Sequence, residues 1–145
     1  MLASDRDNVL YRVSTLVLAI LLLGGCSKNE GRLPVFPVRG SVSFQGRPLG
    51  GAMLLFHPTE PARSNLYCYA KTDTDGKFEV STYDAHDGAP EGKYAVTITW
   101  PAINVEDGGF GDDRFQGKFN NPQATPFQAK VASPATELTT FEVPQ

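Results

Sequence analysis

The sequence predicts an all-β chain, a sandwich of about seven strands. Apolar and polar residues alternate with period two over several runs, most cleanly in Lys93-Tyr94-Ala95-Val96-Thr97-Ile98-Thr99-Trp100. That alternation marks a strand with one covered face. The 145 residues include 14 glycines and 11 prolines, both unfavourable inside helices and common in turns. Turn signals recur between the alternating runs, as a sandwich requires. No stretch after residue 25 reads as a helix.

The chain opens differently. Arg6 and Arg12 precede the apolar run Val13-Ser14-Thr15-Leu16-Val17-Leu18-Ala19-Ile20-Leu21-Leu22-Leu23, and Gly24-Gly25-Cys26 follow. A basic start, a short apolar core and a small-residue site describe a secretory signal peptide. The run falls short of the roughly 20 apolar residues a membrane span needs. Leu23-Gly24-Gly25-Cys26 resembles the lipobox of bacterial lipoproteins. The resemblance implies cleavage before Cys26, lipid on its sulfur and acylation of the new amino terminus. Several acyl chains would anchor the protein firmly, where one would hold it only marginally. Ser27 in place of aspartate leans, by the same resemblance, towards the outer membrane or the surface. Residues 27–36 are polar, without period, and read as a tether.

The strands follow in order. Val38, Gly40, Val42 and Phe44 alternate with Arg39, Ser41, Ser43 and Gln45, and Gln45-Gly46-Arg47-Pro48 turns the chain. Ala52 to His57 is apolar on both faces and reads as a central strand, closed by a loop that starts at Pro58 and Pro61. Tyr67 to Thr72 is the third strand. Asp73-Thr74-Asp75-Gly76 is a hairpin signal, with residues 77–83 returning. A loop over 84–92 leads to the 93–100 strand. Residues 101–125 are irregular, although Phe110, Phe115 and Phe119 suggest that parts pack down. The last strands are expected near 126–132 and 137–143.

Composition excludes several function classes. Removal of residues 1–25 leaves 120 residues, one domain with a single core, at an unchanged formal charge of −3. No basic stripe is present, so nucleic acid is not an expected partner. With Cys26 committed to lipid, Cys68 stands alone, which excludes a disulfide framework and leaves a small buried hydrophobe.

Val38-Arg39-Gly40-Ser41-Val42 with the Pro48-Leu49 pair and the Gly51-Ala52 step, Thr72-Asp73-Thr74-Asp75-Gly76-Lys77-Phe78, and Gly92-Lys93-Tyr94-Ala95-Val96-Thr97-Ile98 together resemble the carboxypeptidase regulatory-like domain in order and spacing. Asn121-Pro122-Gln123-Ala124-Thr125-Pro126 looks like the end of small bacterial lipoproteins built on it. The resemblance implies a transthyretin-like, prealbumin-like Greek-key β-sandwich of seven strands, with no enzymatic activity of its own. Two relatives of that shape carry chemistry. The lysine–asparagine isopeptide of some surface domains has no counterpart, since the first strand holds Arg39 and Thr139-Thr140-Phe141-Glu142-Val143 holds no asparagine. The histidine, arginine and tyrosine-rich signature of transthyretin-related hydrolases is also missing.

The remaining candidates are few. Asp73 and Asp75 resemble half a calcium loop, but position twelve from Asp73 is Asp84 rather than glutamate; a hairpin whose aspartates bond their own backbone accounts for them. Asp84-x-His86-Asp87-Gly88 places a histidine between carboxylates and would need further ligands, with His57 as one candidate. It reads as an exposed polar loop, as does the acidic run over 106–113. Tyr67 and Tyr69 alternate with Cys68 and are expected to face outward with Lys71, where aromatic rings can stack on sugars or anchor a partner.

The expected organisation is a lipoprotein signal peptide over 1–25, a lipidated cysteine and tether over 26–36, and the sandwich over 37–145. The expected function is a carbohydrate- or protein-binding module of the cell envelope, held to the membrane through Cys26 and facing the periplasm or the exterior. A structural spacer or assembly component is the alternative. No cofactor and no catalysis are expected.

Overall fold

Strand formation follows the alternation closely. The computed structural model describes residues 31–104, 106 and 108–145. The apolar run, Cys26 and residues 27–30 of the expected tether lie outside the described residues. Within them run β1 (Val35–Phe36), β2 (Val38–Phe44), β3 (Arg47–Pro48), β4 (Met53–Pro58), β5 (Cys68–Lys71), β6 (Lys77–Glu79) and β7 (Ala89–Pro90). β8 (Gly92–Thr99), β9 (Pro101–Ile103), β10 (Phe110–Asp113), β11 (Phe127–Val131), β12 (Thr136–Glu137) and β13 (Phe141–Val143) complete the set, with one 3-10 turn at Pro61–Arg63.

The described residues are all-β, with several sheets. One sheet has the antiparallel order β11-β8-β4-β5. The other is built round β2, with β3 and β6 antiparallel to it and β12 and β13 parallel to it. Inward side chains of the first sheet (Leu54, Phe56, Tyr94, Val96, Ile98, Phe127) meet those of the second (Val38, Val42, Phe78, Phe141, Val143) in one buried core. Ring contacts close the interface, with Phe56 and Phe78 centroids 6.1 Å apart and Phe127 and Phe141 centroids 5.7 Å apart. The arrangement is sandwich-like.

Several details depart from the sequence reading. Val35 and Phe36, read as tether, form β1 and pair with β7. The return strand over 77–83 is regular only to Glu79, and rejoins β5 through the single bridge Tyr69–Ser81. The last strand is split. Thr136 lies opposite Val38 but Phe141 lies opposite Val42, so one extra residue is accommodated between them as a bulge. Residues 101–125 are not structureless. β9 and β10 pair, and Trp100, Phe115, Phe119 and Phe44 form a ring cluster with centroid separations from 5.3 to 6.1 Å. Phe110, expected to pack down, is exposed beside the Lys71 ammonium.

Candidate functional site

β5 alternates as its sequence demands, with Cys68 and Ala70 buried and Tyr69 and Lys71 open. Burial pushes the Cys68 thiol up from its ordinary value, so it stays protonated and behaves as a small apolar side chain. Tyr69 is 53% exposed and Tyr67, just before the strand, 71%. Each lines a different concavity.

Tyr69 borders a groove of about 680 Å3 over the β5–β6 corner, with Arg39, Lys71, Lys77, Glu79 and His86 along it. Register sets its centre. Arg39 of β2 lies opposite Glu79 of β6, and Arg39 Nε meets Glu79 Oε1 at 2.8 Å. The other Glu79 oxygen meets His86 Nδ1 at 2.9 Å. These groups are too exposed for the pairs to contribute more than about 1 kcal/mol to stability. What they fix is the orientation of three polar side chains beside an open aromatic ring.

His86 is held there by the loop over 81–88. Asp87 Oδ1 accepts the Thr82 N–H at 2.7 Å, and its Oδ2 accepts those of Tyr83 and Asp84 at 3.0 Å each. The His86 N–H donates to Ser81 Oγ at 2.9 Å. His86 takes φ 61°, a left-handed conformation that costs a side-chain-bearing residue about 1–2 kcal/mol. Strain of this kind persists where surrounding contacts over-determine it.

Tyr67 borders a second cleft, of about 630 Å3, on the outer face of the four-stranded sheet. Its floor is Leu55, His57 and Ala95, and Pro122 and Gln123 close the far side. His57 Nε2 lies 3.0 Å from Thr97 Oγ1. Burial holds the His57 imidazole below its ordinary value of 6.5, because the charged ring loses solvation there. The unfolded chain therefore takes up this proton at higher pH than the folded one. Between those two values stability falls as pH falls. Melting curves taken from about pH 7 down to about pH 5 should show that loss, and His57→Asn should make the decline shallower. An unchanged slope in the variant would contradict the neutral, half-covered ring.

The other candidates take structural places. Asp73 Oδ1 accepts the N–H groups of Asp75 and Lys77, each at 2.9 Å, and closes the β5–β6 turn. Asp113 Oδ1 accepts the Trp100 and Phe115 N–H groups and Oδ2 that of Gly117, which organises the turn under the ring cluster. Among the described residues no group of three or more His, Cys, Asp or Glu is placed to hold a metal ion. His57 and His86 line separate concavities. The Arg39–Glu79–His86 array was missed by sequence reasoning. The available signal was a basic and an acidic residue at outward positions of two strands, which identifies a pair only once their register is known.

No family model matches this chain, and no curated protein matches it. Among solved structures it is similar to a 9R-lipoxygenase from Cyanothece PCC8801, at 18% identity and a TM-score of 0.41, over 77% of this chain and 17% of that one. It is also similar to a DUF3823 family protein from Parabacteroides merdae ATCC 43184, at 15% identity and a TM-score of 0.37, over 77% of this chain and 45% of that one. The chain thus spans less than half the length of either neighbour. An enzyme stands among its structural neighbours, and this corrects the expectation that the chain is not one; that expectation is not retained. At these TM-scores the likeness assigns the chain neither an activity nor a family.

Proposed function

We propose that the chain is a lipid-anchored cell-envelope protein whose carboxypeptidase regulatory-like sandwich, of transthyretin-like Greek-key topology, binds a glycan in the Arg39–Glu79–His86 groove. The observation that carries the reading is the open Tyr69 ring beside an oriented guanidinium, carboxylate and imidazole. A sugar ring offers an apolar face to an aromatic side chain and hydroxyls to polar groups at its edge. Charges of both signs along the groove suit a glycan that carries amino or carboxyl substituents. The anchor rests on Leu23-Gly24-Gly25-Cys26, and would place the groove facing the periplasm or the exterior. The sandwich topology is supported by where the motifs fall, on β2, on the β5–β6 turn and on β8.

Two measurements test the reading. Cys26→Ala should abolish incorporation of labelled palmitate; unchanged labelling sinks the anchor. Titration of the full chain with a chitosan tetrasaccharide and with tetragalacturonate should give saturable binding to one of them. Tyr69→Ala should weaken either about tenfold, or about 1.4 kcal/mol; Glu79→Gln should do the same to the amino glycan and Arg39→Gln to the carboxylated one. Binding to neither, with melting unchanged, would favour the structural spacer instead.

A further inference from the structure

We propose that the cleft over Leu55, His57 and Ala95 is a second binding site, for an uncharged sugar ring. The proposal is separate from the groove reading and rests on other residues. No Lys, Arg, Asp or Glu is among the described residues that line the cleft, whereas both signs of charge line the groove. A charged ligand would find no counter-charge in the cleft, and burying it unpaired is costly. Its volume of about 630 Å3 falls within the roughly 300–1,000 Å3 of small-molecule sites.

The side chains divide as a sugar ring requires. The open Tyr67 ring and the floor of Leu55 and Ala95 offer an apolar surface to the C–H face. His57 and Gln123 offer neutral donors and acceptors to the hydroxyls. Thr97 engages His57 Nε2, which leaves Nδ1 for a ligand. In a neutral imidazole one nitrogen donates and the other accepts. A hydroxyl does both, so either tautomer can bind it. Burial of the ring favours that neutral form.

Both walls are fixed before a ligand arrives. On one side Thr125 Oγ1 donates to the Val96 carbonyl at 2.6 Å, and the Gln123 N–H donates to Asn121 Oδ1 at 3.0 Å. On the other, the Thr59 N–H donates to the Lys93 carbonyl at 3.0 Å, and the Leu66 N–H donates to the Arg63 carbonyl at 3.0 Å. Walls held in this way lower the ordering cost of binding.

The chain has only two histidines, and each lines one concavity. Their ring resonances therefore report the two sites separately in one titration. The full chain would be titrated with cellotetraose, maltotetraose and N,N′,N″-triacetylchitotriose. One of these neutral probes should shift the His57 signals saturably and leave those of His86 in place. Tyr67→Ala, at an exposed position that should not unfold the chain, and Gln123→Ala should each weaken that binding about tenfold. The proposal is overturned if no neutral probe at millimolar concentration moves the His57 signals, or if binding is indifferent to both substitutions. Movement of His86 alone by the charged glycans would leave the groove reading standing while the cleft fails.

Discussion

Phe56→Ala should destabilise the chain by about 3–5 kcal/mol, a large part of the 5–15 kcal/mol available to a typical domain. Phe56 is 1% exposed on β4, the strand paired on both edges, to β5 and to β8. Its ring meets Phe78 of the opposite sheet at a centroid distance of 6.1 Å and Tyr94 of its own sheet at 6.2 Å. Truncation would remove the contact between the sheets and leave a cavity that β4, tied on both sides, cannot collapse to fill. Met53 provides the control, since it lies on the outer side of the same strand. Met53→Ala should change stability by no more than about 0.5 kcal/mol. Urea denaturation of the two variants separates the faces of one strand, and equal losses would contradict the assignment of the core.

The fold was legible where a residue's neighbours in sequence determine its place. The alternation in 93–100 became β8, with Tyr94, Val96 and Ile98 turned into the core as the pattern requires, although Thr97 on the other face is buried as well. The Asp-Gly turn formed because Asp73 supplies its own acceptor for two backbone N–H groups, although the strand that follows, β6, pairs with β2 in the other sheet and meets β5 only through the Tyr69–Ser81 bridge. The same stretches explain each other in space. Gly40 of the first motif lies opposite Phe78 of the second, and a Cβ on Gly40 would stand 2.7 Å from the Phe78 ring. The motif glycine is there to admit the motif phenylalanine, so the two are halves of one contact.

The candidate sites were less legible because register creates them. Arg39 and Glu79 are 40 positions apart, and nothing local says that β2 and β6 align them. Parallel pairing of the C-terminal strands with β2 brings Glu137 to the groove from the far end of the chain. The cleft is built from β4, β8 and two loops. Tyr67 and Tyr69 were visible as an exposed pair, but not as borders of separate concavities. Asp87 and Asp113 looked like solvated acids because an acceptor for three N–H groups is recognised only after the loop has folded round it.

Gly88→Ala should cost about 2–5 kcal/mol and should disturb the groove as well. Gly88 has φ +97°, and a side-chain-bearing residue pays about 1–2 kcal/mol for a left-handed backbone. The larger penalty is steric. An added Cβ would stand 1.8 Å from the Phe36 carbonyl oxygen and 2.3 Å from its carbon. Both are backbone atoms, so β1 would have to move away from β7, with overpacking typically costing a further 1–3 kcal/mol or so. Gly88 also ties down the loop that carries His86: its N–H donates to the Val80 carbonyl at 2.9 Å, and its carbonyl accepts from Thr82 Oγ1 at 2.6 Å. Displacement at 88 therefore reaches His86 and its contact with Glu79. Gly51→Ala isolates the conformational part, since Gly51 has φ +78° with nothing within 4 Å of an added Cβ. It should lose only the left-handed penalty and leave the His86 signals unchanged, whereas Gly88→Ala should lower the melting temperature further and shift them. Equal melting temperatures for the two variants would remove the close approach of Gly88 to Phe36 as the reason for glycine at that position.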